Sequence, residues 1–331
     1  MADVDLGSVT RLRLERAARS VLGALAVFIP VFLLGTFVTY FLGYLSGLSP
    51  AHLQLGEAAT PSAVARLEHE WGFDRPFIVQ YVSWFGALLK GDLGVSWYNG
   101  RQVADLLSAR AMISLSVAGL ALVMGTVTGV ILGTLAAVLQ STWIDRTITA
   151  LTSFISVMPS FVVGIALVTV FAVTLELLPS AGYVPLEDGV WPWLSHLLLP
   201  AVALSFDTTA SIARQLRVGL ISAYRENYVI GASLRGFSDR RIFFVHVLPN
   251  GIAPALTVLG MKFPNLLGGA VVTEAIFGLS GYGKFASDSA LRGDVPSVQG
   301  VLVVSVVLVV SFNVLVNSIL NRVFPSAGRG A

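Results

Sequence analysis

Apolar residues run through this chain in six long blocks, separated by polar stretches of very unequal length. The blocks cover about Ser20–Ser46, Met112–Val138, Thr147–Leu175, Leu197–Ala213, Pro254–Phe277 and Val298–Leu320. Blocks of this length predict helices that cross the ~30 Å hydrocarbon core of a bilayer. The fourth is the shortest and holds Asp207, Thr208 and Thr209. The expected fold is an all-α integral membrane protein with six transmembrane helices and a long loop between the first two. Gly125, Gly129 and Gly133 stand four apart in the second block, a spacing that lets one helix face approach another closely. The alternative is that glycine is simply common here, at 32 of 331 residues. Pro159, Pro200, Pro254 and Pro264 predict kinks or helix starts.

Residues 47–110 are mostly polar. Thr60-Pro61 followed by SAVARLEHEW predicts a capped helix with proline at its first position and Gly72 just past its end. The segment FDRPFIVQYVSWFGALLKGDLGVSWYNGRQV mixes aromatics with Arg75, Lys90, Asp92 and Arg101. Its apolar residues are too interrupted for a span, which places it at the membrane surface. Trp71, Trp84 and Trp97 suit an interfacial belt there.

Composition agrees with a multi-span protein. Hydrophobic residues make up 55%, charged residues 12%, and the mean hydropathy is +0.79. That charge content is about half the usual level of soluble domains, at roughly 25%. The first apolar run follows Arg11, Arg13, Arg16 and Arg19, as in a signal peptide. It is longer than such a core, contains Pro30 and lacks a small-x-small cleavage pattern, so an uncleaved first span is expected. With six spans and a cytoplasmic N-terminus, 13 Arg and Lys fall inside and 7 outside, with Lys262 within a span. The positive-inside rule then puts both termini in the cytoplasm. The expected division is residues 1–46 as N-terminus and first span, 47–110 as extracytoplasmic loop region, 111–322 as core, and 323–331 as cytoplasmic tail. The net charge of +2 serves topology and does not point to nucleic acid.

Candidate chemistry is sparse. There is no cysteine, and four scattered histidines lack metal-ligand spacing. GLSGYGKF (Gly278–Phe285) fits part of a phosphate-binding loop, but Phe285 replaces the required Ser or Thr and no strand precedes it. No paired-carboxylate or serine-triad pattern stands out, so direct catalysis is not expected. Asp207, Lys262 and Glu274 lie within or near the ends of spans, where charge is costly and usually faces a cavity or a partner. They either line a translocation path or form structural pairs and interfacial groups.

The loop at about 214–253 is a charged island between apolar blocks, with Arg235, Asp239, Arg240 and Arg241 close together. Ser222–Leu234 predicts a short helix that Gly236 ends in a left-handed cap. Ser238 offers an N-cap oxygen to a second helix with Asp239 in its first turn. The expected helix–turn–helix sets Ile242, Phe243, Phe244 and Val245 beside Arg240 and Arg241. It suits contact with a soluble partner, and equally an ordinary basic loop.

At these residues the chain resembles a known family. Gly236, with Leu248-Pro249 twelve and thirteen positions on, matches the glycine and LP ends of the EAA motif of ABC importer permeases. Tyr228, Ala232, Arg235-Gly236-Phe237-Ser238, then His246, Asn250, Pro254, Thr257 and Gly260, resemble the dipeptide/oligopeptide/nickel branch. Phe73–Ser96 is similar to that branch's outer-loop pattern. Gly268–Phe285, with Asp294-Val295-Pro296 and Val298-Gln299-Gly300, is similar to its closing segment. Departures are Ile230-Gly231-Ala232 at the motif's Glu-Ala-Ala start and Leu48-Ser49-Pro50-Ala51 after the first span. Near the end, Phe324-Pro325-Ser326 replaces an Asp-Pro-Arg pattern, and Asn317 stands where an aspartate is common.

The resemblance implies the type I ABC importer permease fold in a bacterial cell membrane, and a role translocating di- or oligopeptides. The chain would pair with a second homologous permease, one or two cytoplasmic ATPase subunits and an extracytoplasmic substrate-binding protein. ATP and magnesium would bind the ATPases, with no cofactor on this chain. Tyr228, Ala232, Arg235, Gly236, Ser238, Asp239, Arg240, Arg241, His246, Leu248, Pro249 and Asn250 would form the ATPase-coupling loop, and rigid-body rocking would switch the spans. The alternatives are import of nickel chelates or another small solute, and a self-contained secondary transporter, for which Asp207 is the main support.

Overall fold

A computed structural model describes residues 28–49 and 51–323. Arg11, Arg13, Arg16, Arg19, the start of the first span and the Phe324-Pro325-Ser326 tail lie outside the described residues. Within them the chain is helical. In order these are α1 (Phe28–Leu45), α2 (Ala51–Leu55), α3 (Pro61–Trp71), α4 (Phe77–Leu88), α5 (Val103–Val138), α6 (Trp143–Val157) and α7 (Ser160–Leu167). There follow α8 (Val190–Tyr224), α9 (Asn227–Leu234), α10 (Asp239–Ile242), α11 (Leu248–Gly251), α12 (Ala253–Ile276), α13 (Tyr282–Leu291) and α14 (Val295–Val323). Among the described residues five helices are long and apolar enough to cross a membrane, and six if the bent pair α6–α7 is one span.

The chain divides into two compact units. One comprises residues 1–104 with 289–306. Its core is aromatic: Tyr40, Trp84 and Trp97 are buried with Val295, and Trp71, Phe73, Phe77 and Tyr81 pack around them. The tryptophans expected in an interfacial belt pack together as one aromatic cluster. Trp71 stacks on Trp97 with ring centroids 5.9 Å apart, because large rings gain more from mutual burial than from separate positions. Helix α3 forms as its sequence dictates: Thr60 Oγ1 accepts the Ala63 N–H at 3.3 Å, Pro61 opens the first turn, and Gly72 closes it at φ 76°. Asp294 ties the end of the polar stretch to the start of α14. Its carboxylate accepts Ser96 Oγ at 2.6 Å, the Trp97 N–H at 2.9 Å and Ser297 Oγ at 2.7 Å. Gln299 Nε2 donates to the Thr36 carbonyl at 2.8 Å, fixing α14 to α1.

The other unit comprises residues 105–288 with 307–331. Its axis is α8, which runs 35 residues where the sequence pattern predicts a span of about half that. The pattern fails because Asp207, Ser211, Arg214, Gln215 and Arg217 interrupt the apolar run, and some of their partners come from other helices. Arg217 Nε and Nη2 donate to Asp145 Oδ1 and Oδ2 of α6 at 2.6 and 2.8 Å. The glycine face of α5 packs on α8 as its spacing predicts. A methyl on Gly129 would meet Ile212 Cβ at 2.9 Å, and one on Gly133 the Ala213 carbonyl at 2.6 Å. Pro159 breaks the third apolar block outright, with α6 and α7 bent by 100° about it. Pro200 and Pro264 stay inside α8 and α12.

Candidate functional site

The candidate interaction loop runs from Arg225 to Ile252. Helix α8 runs past Ser222, where the sequence pattern starts a separate helix. Tyr224 ends α8, Glu226 turns extended at ψ 143°, and α9 starts at Asn227. No glycine or proline marks this break, so the predicted Ser222–Leu234 helix is two pieces. At the other end of α9 the prediction holds: Gly236 sits at φ 79°, in the left-handed region where only glycine is unstrained. Ser238 occupies the N-cap of α10, but its side chain makes no capping bond; its carbonyl alone receives the Ile242 N–H, at 2.9 Å. After one turn the helix widens into a π turn over Phe243–Val247. Leu248-Pro249 follows, and the widened turn accommodates a residue that has no N–H to give the ladder.

Val229, Ala232, Ile242 and Val247 bury themselves against Leu216, Leu220 and Ala223 of α8 and Ala255 of α12. Leu248 packs beside them, so the loop is a rigid extension of two spanning helices. Its outward side is exposed: Leu234 is 85% accessible, and Arg235, Gly236, Ser238, Asp239, Arg240 and Arg241 are open with it. Arg241 lies over the Phe237 ring at 4.4 Å and Arg235 at 5.6 Å. His246 stacks on the same ring at 6.2 Å, and Asn250 Nδ2 donates to the His246 carbonyl at 2.7 Å. Burial, and then the Glu226 carboxylate, hold the Tyr228 hydroxyl above its ordinary pKa. The loop thus presents a cationic rim around a protruding leucine. Two residues that set its seat, Gly219 and Gly251, carry no motif signal; each lies where the other's helix leaves no room for a side chain.

The three intramembrane charges separate into two groups. Lys262 of α12 donates Nζ to Asp207 Oδ2 at 2.6 Å, with the Asp207 side chain 56% accessible and that of Lys262 11%. Glu274 is elsewhere and fully buried. Its carboxylate accepts Ser114 Oγ and the Lys284 N–H at 2.9 Å, while Ser114 accepts the Tyr282 N–H at 2.7 Å. Glu274 therefore caps the N-terminus of α13, where a negative charge is favoured. The phosphate-loop match at Gly278–Phe285 is closed by the same carboxylate: a methyl on Gly281 would collide with Glu274 and Ser114.

Residues 129–329 match the family described as binding-protein-dependent transport system inner membrane component, and residues 15–118 match its N-terminal counterpart. A probable peptide ABC transporter permease of Sinorhizobium fredii is 35% identical over 285 residues, 86% of this chain and 91% of that protein. A probable D,D-dipeptide transport system permease of Escherichia coli is 30% identical, covering 88% and 92%. An oligopeptide transport system permease of Bacillus subtilis is 31% identical, covering 87% and 92%. In fold, a chain of the methionine ABC transporter MetNI in an inward-facing conformation aligns with a TM-score of 0.54 at 19% identity, over 66% of this chain and 96% of that one. The architecture is the type I ABC importer permease fold, in a multi-pass membrane protein. The chain belongs to the family of binding-protein-dependent transport system inner membrane components.

Proposed function

We propose that this chain is the membrane-spanning permease subunit of an ATP-driven importer that carries di- or oligopeptides across a bacterial inner membrane. The observation that carries the mechanism is the Arg225–Ile252 loop, anchored on α8 and α12 by Val229, Ala232, Ile242 and Val247 yet open at Leu234–Gly236. An element seated on two spanning helices and exposed at its tip transmits force in either direction. Leu234 and the arginines around it dock on a cytoplasmic ATPase subunit; ATP and magnesium bind there. A second, homologous permease completes the pathway, and an extracytoplasmic binding protein delivers the solute. Both termini lie in the cytoplasm, which the excess of Arg and Lys on that side supports. Asp207 and Lys262 line the path, whereas Glu274 holds α13 in place. The peptide assignment is supported by relatives named for peptide, D,D-dipeptide and oligopeptide transport.

The test is uptake. The complete complex, reconstituted in liposomes with its binding protein, should accumulate labelled peptides of two to six residues only when ATP is supplied. A complex that turns over ATP with its loaded binding protein yet carries a nickel chelate or another solute, and no peptide, would overturn the peptide assignment.

A further inference from the structure

Helix α8 is the most enclosed of the spanning helices, with 67% of its apolar stretch buried. Between Leu197 and Leu220 its only exposed residues are Asp207, Arg214 and Val218, with Ser211 and Gln215 half-buried beside them. Positions 207, 211, 214 and 218 fall on one helical face. Among the described residues, exposed positions on α1, α12, α14 and α5 beyond Met112 carry no charge: most are apolar, such as Val123, Val127 and Ile131 on α5 and Val307, Val314 and Leu315 on α14, and polar ones such as Thr128, Asn265 and Ser311 are neutral. Those surfaces suit lipid. A face that opens two opposite charges does not, because a charge in hydrocarbon is expensive unless water or a polar partner meets it.

The charges also have capacity left. Lys262 Nζ donates to Oδ2 of Asp207, and Oδ1 receives Ser211 Oγ at 3.5 Å, the outer limit of a hydrogen bond. Arg214 forms no ion pair among the described residues. Asp207 and Arg214 stand seven residues apart on α8, about 10 Å along a helix axis at 1.5 Å per residue. Three extended residues reach about 10 Å, at 3.3–3.6 Å each.

We propose that the Asp207–Ser211–Arg214 face of α8 is a docking strip for a short zwitterionic peptide inside the solute path. Asp207 Oδ1 receives the N-terminal ammonium, and the Arg214 guanidinium receives the C-terminal carboxylate in the bidentate geometry that suits it. Lys262 holds the Asp207 carboxylate in place through Oδ2. The inference rests on the peptide-importer reading and adds that free termini, about three residues apart, are what the permease itself recognises.

The chain contains no cysteine, so a Ser211→Cys variant gives it a single thiol on this face. The reconstituted complex carrying that variant is exposed to a water-soluble maleimide during ATP turnover. A tripeptide with free termini should slow labelling at least about tenfold, the loss expected for one charge-assisted contact. Its N-acetyl and C-amide forms should give no such protection at equal occupancy of the binding protein, and adding Arg214→Gln should abolish it. If the complex imports the tripeptide while labelling is unchanged, or if the blocked peptides protect equally, the docking strip is refuted. A thiol that never labels would mean that the face is covered by the second permease, which refutes it as well. A complex that imports no peptide at all refutes the peptide-importer reading instead.

Discussion

Gly219 of α8 and Gly251 of α11 meet with no space for a side chain on either. A methyl on Gly251 would lie 2.8 Å from Leu220 Cδ2 and 3.0 Å from the Gly219 carbonyl. This crossing seats the exposed loop on α8, the most enclosed of the five spanning helices. Gly251→Ala should lower the thermal midpoint of the purified complex, in line with overpacking at about 1–3 kcal/mol. Gly231→Ala, at a helical position where nothing lies within 4 Å, should leave it unchanged or raise it slightly. Equal effects of the two substitutions would remove the close approach as the cause.

Gly236 carries a conformational requirement and no packing one, since its φ is 79° and nothing lies near a built Cβ. A β-branched residue there is strained by about 1–2 kcal/mol or more, and the junction between α9 and α10 should rearrange. Gly236→Val is expected to insert in the membrane at normal level and to lose stimulation of ATP hydrolysis by the loaded binding protein. Normal stimulation in a well-inserted variant would sever the loop from ATPase coupling.

Asp145 and Arg217 are joined by two hydrogen bonds, and Asp145 also accepts the Ser141 N–H at 3.0 Å. Removing one partner strands the other with its side chain 5% or 28% accessible. Asp145→Asn or Arg217→Met should destabilise the chain by about 3–5 kcal/mol. Arg217→Lys should recover little, because an ammonium cannot span both oxygens. Replacing both residues by apolar ones of similar volume should be milder than either single change, as read by thermal unfolding in detergent.

Glu274→Ala should release the first turn of α13, with amide hydrogen exchange rising over residues 282–286 and a loss of about 1–2 kcal/mol typical of a missing cap. Glu274→Gln, which keeps an acceptor oxygen, should retain most of the protection. Lowered peptide uptake by Glu274→Gln with α13 still protected would instead place Glu274 on the transport path.

Much of the architecture was legible because lipid imposes a simple code. Long apolar runs mark spans, Gly125, Gly129 and Gly133 mark a close helix contact, and Gly72 and Gly236 mark left-handed turns. Each of these signals is local: a run length, a spacing or a backbone angle that one residue type allows. The family motifs at Gly236, Leu248-Pro249 and Asp294–Gly300 were equally visible. A self-contained secondary transporter, still open on sequence grounds, gives way to membership of a binding-protein-dependent family.

What only the tertiary structure decided is which charges are used up and which remain open. Asp207 and Glu274 look alike in sequence, each a lone acid in an apolar run. Folding sends Glu274 to cap α13 through Ser114 and Lys284, distant in the chain or across a turn, and leaves Asp207 half-satisfied beside Lys262. Trp71, Trp84 and Trp97 share one cluster for the same reason, since burial depends on neighbours brought from Tyr40 and Val295. The sequence by itself determined most of the apolar helices and the left-handed turns at Gly72 and Gly236, but not the length of α8 or its break from α9. The partners of each polar group were settled by packing, because desolvation is fixed by the whole neighbourhood and not by the residue that feels it.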